Sequence, residues 1–488
     1  MTSLGARALS YRSLAGYLAF GLLGCFVISG GENQVLLLLS LTFVALAGHI
    51  ILRHAGGFML TPATLFFLFY TVFTYVGGMG YFLLDGQGVS YGGGVRNYAF
   101  YLAITGGVLA LAVGVMIASQ ANQFNPKVEL TKFRLAPWRD RHRMPGDYVV
   151  IGLFGLVALG MTLVYITNRG LIPLLEILRI QEGGFDEIYE RYQTTRAMFS
   201  RYGRGAGSYF FQGYFQQFYL VVLPFVTLFV GSRYLFYRKR ILAALWIVLG
   251  ALNSFFLAMA LQRWPLMFFI IMNYVLYVNY RGRIKTSHAL FFVVMALSLF
   301  ALLTYIRGMG DLSTALFWAQ NRIFKTNVDV LYSIFEMFPR HFEFFGGLAI
   351  LADLKGVLPG PDVAFSRWLF DALYRVHGTG TTPTIFWGQL YADFGLPGVL
   401  AGSLLAGFLM QWFYIWFIRG EKSLLKLIVY AIITMALAGL AITNPVTILF
   451  QLGIVSTLLL VLVLKVMRDL FQAEPKVANL GLMQLGHV

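Results

Sequence analysis

Charge is what this chain has least of for its length. Only 12% of its 488 residues are Asp, Glu, Lys or Arg, while 58% are hydrophobic; soluble globular chains carry about 25% and 45–50%. That balance excludes a water-soluble globule, and with it soluble enzymes, transcription factors and secreted disulfide scaffolds. Cysteine is scarcer still. Cys25 is the only one, so neither an intramolecular disulfide nor a Cys-based metal site is available, and no metal is expected. Acids are also few, 21 against 37 Lys and Arg, for a net charge of +16. In a soluble chain such a surplus points to nucleic acid. Here the basic residues lie between apolar runs, where membrane topology accounts for them and no nucleic-acid partner is expected.

What the chain has in abundance is apolar runs long enough to cross a hydrocarbon core. Windowing predicts about twelve spans: 12–29, 34–52, 58–83, 97–118, 148–168, 209–230, 241–261, 265–280, 287–306, 385–418, 425–442 and 446–464. The expectation is one all-α polytopic bundle over residues 1–488, since only helices or closed barrels satisfy their backbone in lipid. The first run lacks a small-residue cleavage pattern and is followed by Gly31-Glu32-Asn33-Gln34, so it is expected to be a retained helix. Alternate loops divide the charge unequally. The N-terminus, Arg53, 119–147, 231–240, 281–286, 419–426 and the tail hold 22 Lys and Arg against 6 acids; the other set holds 15 against 15. The positive set is predicted to be cytoplasmic, with both termini. The basic residues of 119–147 are then read as topogenic and lipid-headgroup contacts.

Two long segments, 169–208 and 307–384, fall on the external side, and long connections in compact proteins are usually functional or disordered. Pro173 with Leu171, Leu174, Leu175 and Leu178, and the amphipathic runs 312–324 and 363–376, predict helices at the outer membrane boundary. Arginines bunch there: Arg179, Arg191, Arg196, Arg201 and Arg204, then Arg307, Arg322 and Arg340. Guanidinium forks bind phosphate oxygens bidentately, although Glu187 and Arg191 are also spaced for a plain helix-surface pair. Arg263, in the short connection Gln262-Arg263-Trp264-Pro265, places a cation where the topology rule disfavours one, against the alternative of a snorkelling helix-end arginine.

A Gly/Thr-rich turn from His377 leads into an apolar helix carrying Gln389, Tyr391 and Asp393, kinked near Pro397. A carboxylate at membrane depth is a functional candidate, with a structural pairing to an arginine as the alternative. His377 titrates near neutrality and suits a general base, or is an ordinary hydrogen-bonded loop residue. The Gly203–Gly207 stretch lacks the preceding strand of a phosphate loop, and Asp186 with Glu187 reads as a solvated helix face rather than a metal site.

Several of these features recur together in one family. Gly170-Leu171-Ile172-Pro173-Leu174-Leu175, the Arg/Gly-rich stretch after it, an arginine opening a span at 263, Pro383-Thr384 and the Gly-x-Leu-Tyr-x-x-Phe-Gly block at 388–395 resemble the Wzy-type oligosaccharide repeat unit polymerases of bacterial O-antigen, capsule and exopolysaccharide assembly. The likeness spans roughly residues 150–415, and the His377 turn with its Gly-x-x-Gly kink also resembles the related O-antigen ligases. Gln389 stands where many members carry a glutamate. The resemblance implies a GT-C-like membrane glycosyltransferase of the bacterial inner membrane, acting at its outer face on undecaprenyl-diphosphate-linked oligosaccharides without a nucleotide or other cofactor. It implies Arg263, Arg307, Arg204, Arg201, Arg196 and Arg340 on the diphosphate, His377 or Asp393 as proton acceptor, and Trp264, Trp387, Tyr391 and Gln389 at the sugars. Trp318 and Trp368 are further exposed aromatics that would suit sugar rings. A flippase and a chain-length regulator are the expected protein partners. A lipid-linked oligosaccharide exporter is the rival in another class, but it should spread polar groups through several spans and show a two-fold repeat.

Overall fold

In the computed structural model the described residues are 33–56, 60–83, 97–140, 145–169, 216–259, 263–282, 312–355, 365–374 and 385–472, with isolated positions between 291 and 302. They are helical almost throughout. In chain order the elements are α1 (Asn33–Ala55), α2 (Pro62–Tyr70) joined by the π-helical turn Thr71–Tyr75 to α3 (Val76–Leu83), α4 (Tyr98–Ala121), α5 (Pro126–Leu135) and α6 (Pro145–Arg169). A second π-helical turn, Phe218–Val222, opens α7 (Leu223–Tyr237), followed by α8 (Arg240–Ala258) and α9 (Arg263–Arg281). Four shorter helices come next: α10 (Leu312–Phe324), α11 (Thr326–Met337), α12 (Leu348–Lys355) and α13 (Phe365–Tyr374). The chain continues with α14 (Phe386–Arg419), α15 (Leu424–Ala438) and α16 (Ile454–Gln472), with a third π-helical turn at Thr447–Gln451.

Among the described residues nine helical stretches are long and apolar enough to cross a membrane: Leu36–Ala55, Pro62–Gly80, Tyr98–Ala121, Gly146–Val164, Phe218–Tyr237, Arg240–Ala258, Phe386–Arg419, Leu424–Ala441 and Thr447–Asp469. Each overlaps an expected span. The expected span 265–280 forms α9 but is not among the nine, because Tyr274, Tyr277, Tyr280, Asn273 and Asn279 lower its hydropathy. The expected span 12–29 lies outside the described residues, as does most of 287–306.

Local chemistry starts several helices. Asn97 accepts the amide of Phe100, Thr61 and Thr64 form a capping box, Asn125 precedes Pro126, and Ser423 accepts the amide of Lys426. Each satisfies amides that the first helical turn leaves open. The most extensive packing is between α4 and α14, and glycine permits it. A Cβ at Gly114 would run into the carbonyl of Leu404, and one at Gly407 into that of Leu111; backbones in lipid gain by such close approach.

Contacts define two ends of the bundle. At one end α5 and the strand-like stretch after it form a clasp. Arg139 and Ser423 pair backbones, Arg139 meets Glu421 at 3.2 Å, and Lys422 Nζ donates to the carbonyls of Phe133 and Ala136. Trp138 Nε1 donates to Tyr280 O at 3.1 Å, and Arg233 pairs with Asp140 at 3.2 Å, both fully buried. The described part of the 119–147 loop is therefore folded onto the helices, with Arg139 exposed at its edge and paired to Glu421. Lys127, Lys132 and Arg134 on α5 are exposed. At the opposite end Asn97 Nδ2 donates to Phe335 O at 2.9 Å. That end gathers α10 to α13, the starts of α4, α9 and α14, and the α15–α16 connection.

Candidate active site

Asp393 is the hub of that second end. Its carboxylate is 1% exposed and accepts three backbone amides: Gly347 N at 3.1 Å and Ala349 N at 2.8 Å on Oδ1, and Ile350 N at 3.1 Å on Oδ2. These belong to the first turn of α12, whose own N-terminal position is Gly347 and offers no side-chain cap. Asp393 supplies the cap from another helix, and its charge suits the positive end of the helix dipole. The arginine pairing entertained for Asp393 is thus replaced by an amide cradle.

The kink in α14 exists for the same contact. Pro397 has no N–H, so the carbonyl four residues back, that of Asp393, loses its helical donor. Gly346 N takes that carbonyl at 2.9 Å, and Phe345 N takes Ala392 O at 2.9 Å. Gly395, at φ 66° and ψ −160°, makes the bend, a conformation that glycine alone adopts cheaply. Segment 345–350 is consequently stitched to α14 through both backbone and side chain.

One turn earlier, Gln389 is fully buried. Its Nε2 donates to Ala349 O at 3.1 Å and to Asp353 Oδ2 at 2.8 Å. Asn444 Nδ2 adds a donor to the same oxygen at 2.9 Å, and Phe365 N donates to Asp353 Oδ1 at 2.8 Å. Asp353 thereby ties α12, α13, α14 and the α15–α16 connection together. Sequence reasoning missed Asp353 and Asn444. Asn444 between two apolar runs was a visible signal, whereas Asp353 sits in a short helix that resembles any solvated turn.

The aromatic candidates are placed differently from expectation. Trp387 is 1% exposed, donates to Ser403 Oγ at 2.6 Å and packs edge-on against Phe66 and Tyr70. Tyr391 stacks on Phe335 at 3.8 Å and donates to Phe338 O at 3.3 Å. Neither ring is presented at a surface, because the apolar faces of α14 that carry them are covered by α2, α4 and α11. Trp264 is half-buried, edge-on to Phe73 at 4.9 Å. Trp368 is half-buried too, packed against Phe342, Phe345 and Phe365. Arg263 opens α9 beside the Thr71–Tyr75 turn that Trp264 touches, and Arg340 is exposed after α11. His377, Arg307, Arg204, Arg201 and Arg196 lie outside the described residues.

α11, between the two runs expected to lie at the boundary, is packed into the protein: Asn327, Val328, Val330 to Phe335 and Met337 are all buried. Asp329 and Glu336 are only half-buried. Burial raises the Glu336 carboxyl from the ordinary carboxylate range to about 7, with Arg340 drawing it down and Asp329 pushing it up. Neither acid stood out in the sequence, because a helix of twelve residues with two acids reads as an ordinary amphipathic element.

A polytopic helical membrane protein, with a kinked, polar-lined helix pair and short helices gathered at one end of its bundle, is the class these features define. Within that class a family model described as "Putative O-antigen polymerase" matches residues 212–467, just over half of the chain, and the chain belongs to that family. Curated proteins gave no match, and neither did solved structures.

Proposed function

We propose that this protein is a glycosyltransferase that polymerises undecaprenyl-diphosphate-linked oligosaccharide repeat units at the outer face of a bacterial inner membrane. Family membership across 212–467 carries the reading, since the match takes in every element of the Asp393 end from α7 onward. In the proposed reaction a hydroxyl of an incoming lipid-linked repeat unit attacks the anomeric carbon of the growing glycan. The bond from that carbon to the diphosphate breaks, and its electron pair leaves with the lipid diphosphate.

A leaving diphosphate needs cations aimed at the charge it develops. Arg263, which opens α9, and Arg340, exposed after α11, are candidates for that role, and Arg307, Arg204, Arg201 and Arg196 belong to the loops with the same charge balance. Trp264 offers a ring edge near Arg263 for a sugar. Gln389, Tyr391 and Trp387 support the site as its wall, and Asp393, whose oxygens are taken by amides, as its scaffold. The His377 turn directly precedes α14 and stays a candidate for proton transfer. Flippase and chain-length partners follow from the same pathway, and cytoplasmic termini from the charge asymmetry.

The test is purified protein in liposomes, supplied with purified lipid-linked repeat units. Wild-type protein is expected to form polymer, Arg263→Ala to form none while remaining folded, and Arg263→Lys to recover little because an ammonium lacks the bidentate fork. Passage of the lipid-linked unit across the bilayer without chain growth would overturn the reading in favour of a flippase. Transfer to a different lipid acceptor alone would make the protein a ligase.

A further inference from the structure

On α11 every residue from Val330 to Met337 is committed to packing or to the backbone except one. Phe335 stacks on Tyr391, and its carbonyl accepts Asn97 Nδ2. Tyr332 packs on Phe100, and Ser333 Oγ donates to Asp329 O at 2.8 Å. The carbonyl of Met337 accepts the amides of His341 and Phe342, and Phe338 O accepts the Tyr391 hydroxyl. Glu336 sits near the end of this clamped stretch, and its Oε2 is sequestered from solvent with no hydrogen-bond partner among the described residues. A carboxylate oxygen buried without a donor is held at a cost in stability, and a role outside packing would explain it.

The surroundings fit proton transfer. Asp329, Ser333 and Glu336 are spaced by four and three residues, which puts them on one face of α11, and Arg340 follows three residues beyond the helix end at Met337. Asp329 and Glu336 are half-buried and Arg340 is exposed. The helix packs on the Thr71–Tyr75 turn, the same turn that Trp264, next to Arg263, touches through Phe73. A diphosphate held at the start of α9 and a carboxylate on α11 would thus flank a single element.

We propose that Glu336 is the general base of the transfer reaction, an inference that rests on the polymerase reading above. Its half-buried carboxylate, through Oε1, the oxygen that is not sequestered, accepts the proton of the acceptor hydroxyl as the hydroxyl oxygen bonds to the anomeric carbon and the carbon–oxygen bond to the diphosphate breaks. The proton then passes to water, which restores the carboxylate. Among the described residues Asp329 and Arg340 are the charged groups whose fields reach it. Burial first, with Asp329 adding to it, keeps the base strong enough to take a proton near neutral pH, and a base of that strength is near the optimum for the task.

Initial rates of polymer formation by the full-length protein in liposomes, with purified undecaprenyl-diphosphate-linked repeat units, test this across pH 5.5 to 9. For wild type the rate should rise with pH through a midpoint near 7, as the Glu336 carboxyl loses its proton. Glu336→Gln should lower kcat roughly 10²- to 10⁴-fold, abolish that limb, and leave binding of the lipid-linked donor unchanged. Glu336→Asp should recover part of the rate. Asp329→Asn should move the midpoint to lower pH by removing the negative neighbour, a shift that a merely structural acid would not cause; it is read independently of whether Glu336→Gln folds. A wild-type rate from folded Glu336→Gln, an unmoved midpoint in Asp329→Asn, or loss of the limb in His377→Ala instead would overturn the assignment while leaving the polymerase reading intact. Absence of polymer from wild type would overturn the polymerase reading, and this inference with it.

Discussion

Two carboxylates at one end of the bundle, Asp393 buried and Glu336 half-buried, are handled in opposite ways. Asp393 has a donor on each oxygen, so its charge is matched at every lone pair that matters; Glu336 leaves an oxygen unmatched. Their substitutions should diverge accordingly. Asp393→Asn turns an acceptor into an NH₂ facing one of the three amides, and the expected loss is about 1–3 kcal/mol, seen as a lower unfolding midpoint in detergent at every pH. Glu336→Gln should do the reverse. A carboxyl raised from 4.5 to about 7 in the folded state binds more protons folded than unfolded between those values. Stability therefore falls as pH rises through that window. Above pH 7 Glu336→Gln should be the more stable protein by on the order of 1 kcal/mol, less than the full shift because water screens a half-buried group. Below pH 4.5 the difference should vanish. Equal melting temperatures of the two proteins at pH 8 would remove the claim that Glu336 is held at a cost.

Helices are where sequence and structure agree best, and the reason is length. An apolar run of twenty residues has one stable form in lipid, so α4, α8, α14 and α15 are legible from hydropathy alone. The three π-helical turns are not, because they record where neighbouring helices press on the backbone rather than any local residue pattern. Short helices are legible in part. The amphipathic run 312–324 coincides with α10, while α12, eight residues long, is stabilised mainly by an aspartate forty-four positions away. The site was legible to the same degree: Gln389, Tyr391 and Asp393 stood out as polar groups in an apolar helix, but Asp353, the partner of Gln389, and Asn444, which bonds Asp353 in turn, could be assigned only once the chain was folded. At this scale the α4–α14 seam gives a direct prediction. Gly407→Val forces a branched side chain against the Leu111 backbone, where neither element has room to yield. Separation of the seam should lower the unfolding temperature by several degrees in thermal shift measurements and reduce folded yield. Gly152→Ala on α6, where an added Cβ meets nothing, should leave both unchanged.

Over the whole molecule, charge and contact point the same way. Among the described residues, the parts of 119–147, 231–240, 281–286 and 419–426, which belong to the loops that carry the net charge of +16, are brought together by the clasp of Arg139, Lys422, Asp140 and Arg233, and part of the electrically neutral segment 307–384 packs around Asp393. A bilayer sorts such a molecule by its Lys and Arg, so the clasp end should face the cytoplasm and the Asp393 end the outside. Single cysteines read this directly once Cys25 is replaced by serine. Lys132 on α5 and Glu343 after α11 are both exposed and lie at opposite ends. In intact spheroplasts a membrane-impermeant maleimide should label Glu343→Cys, and label Lys132→Cys only after the membrane is opened. The reverse pattern would put the Asp393 end on the cytoplasmic side, where a lipid-linked oligosaccharide is found only before it is flipped; the outer-face polymerase would then fall, whatever the activity of the purified protein. Labelling of both residues from outside would instead place α5 beyond the hydrocarbon boundary on the external face, which cannot be reconciled with a clasp that binds the C-terminal ends of α7, α9 and α14 at a single end of the bundle.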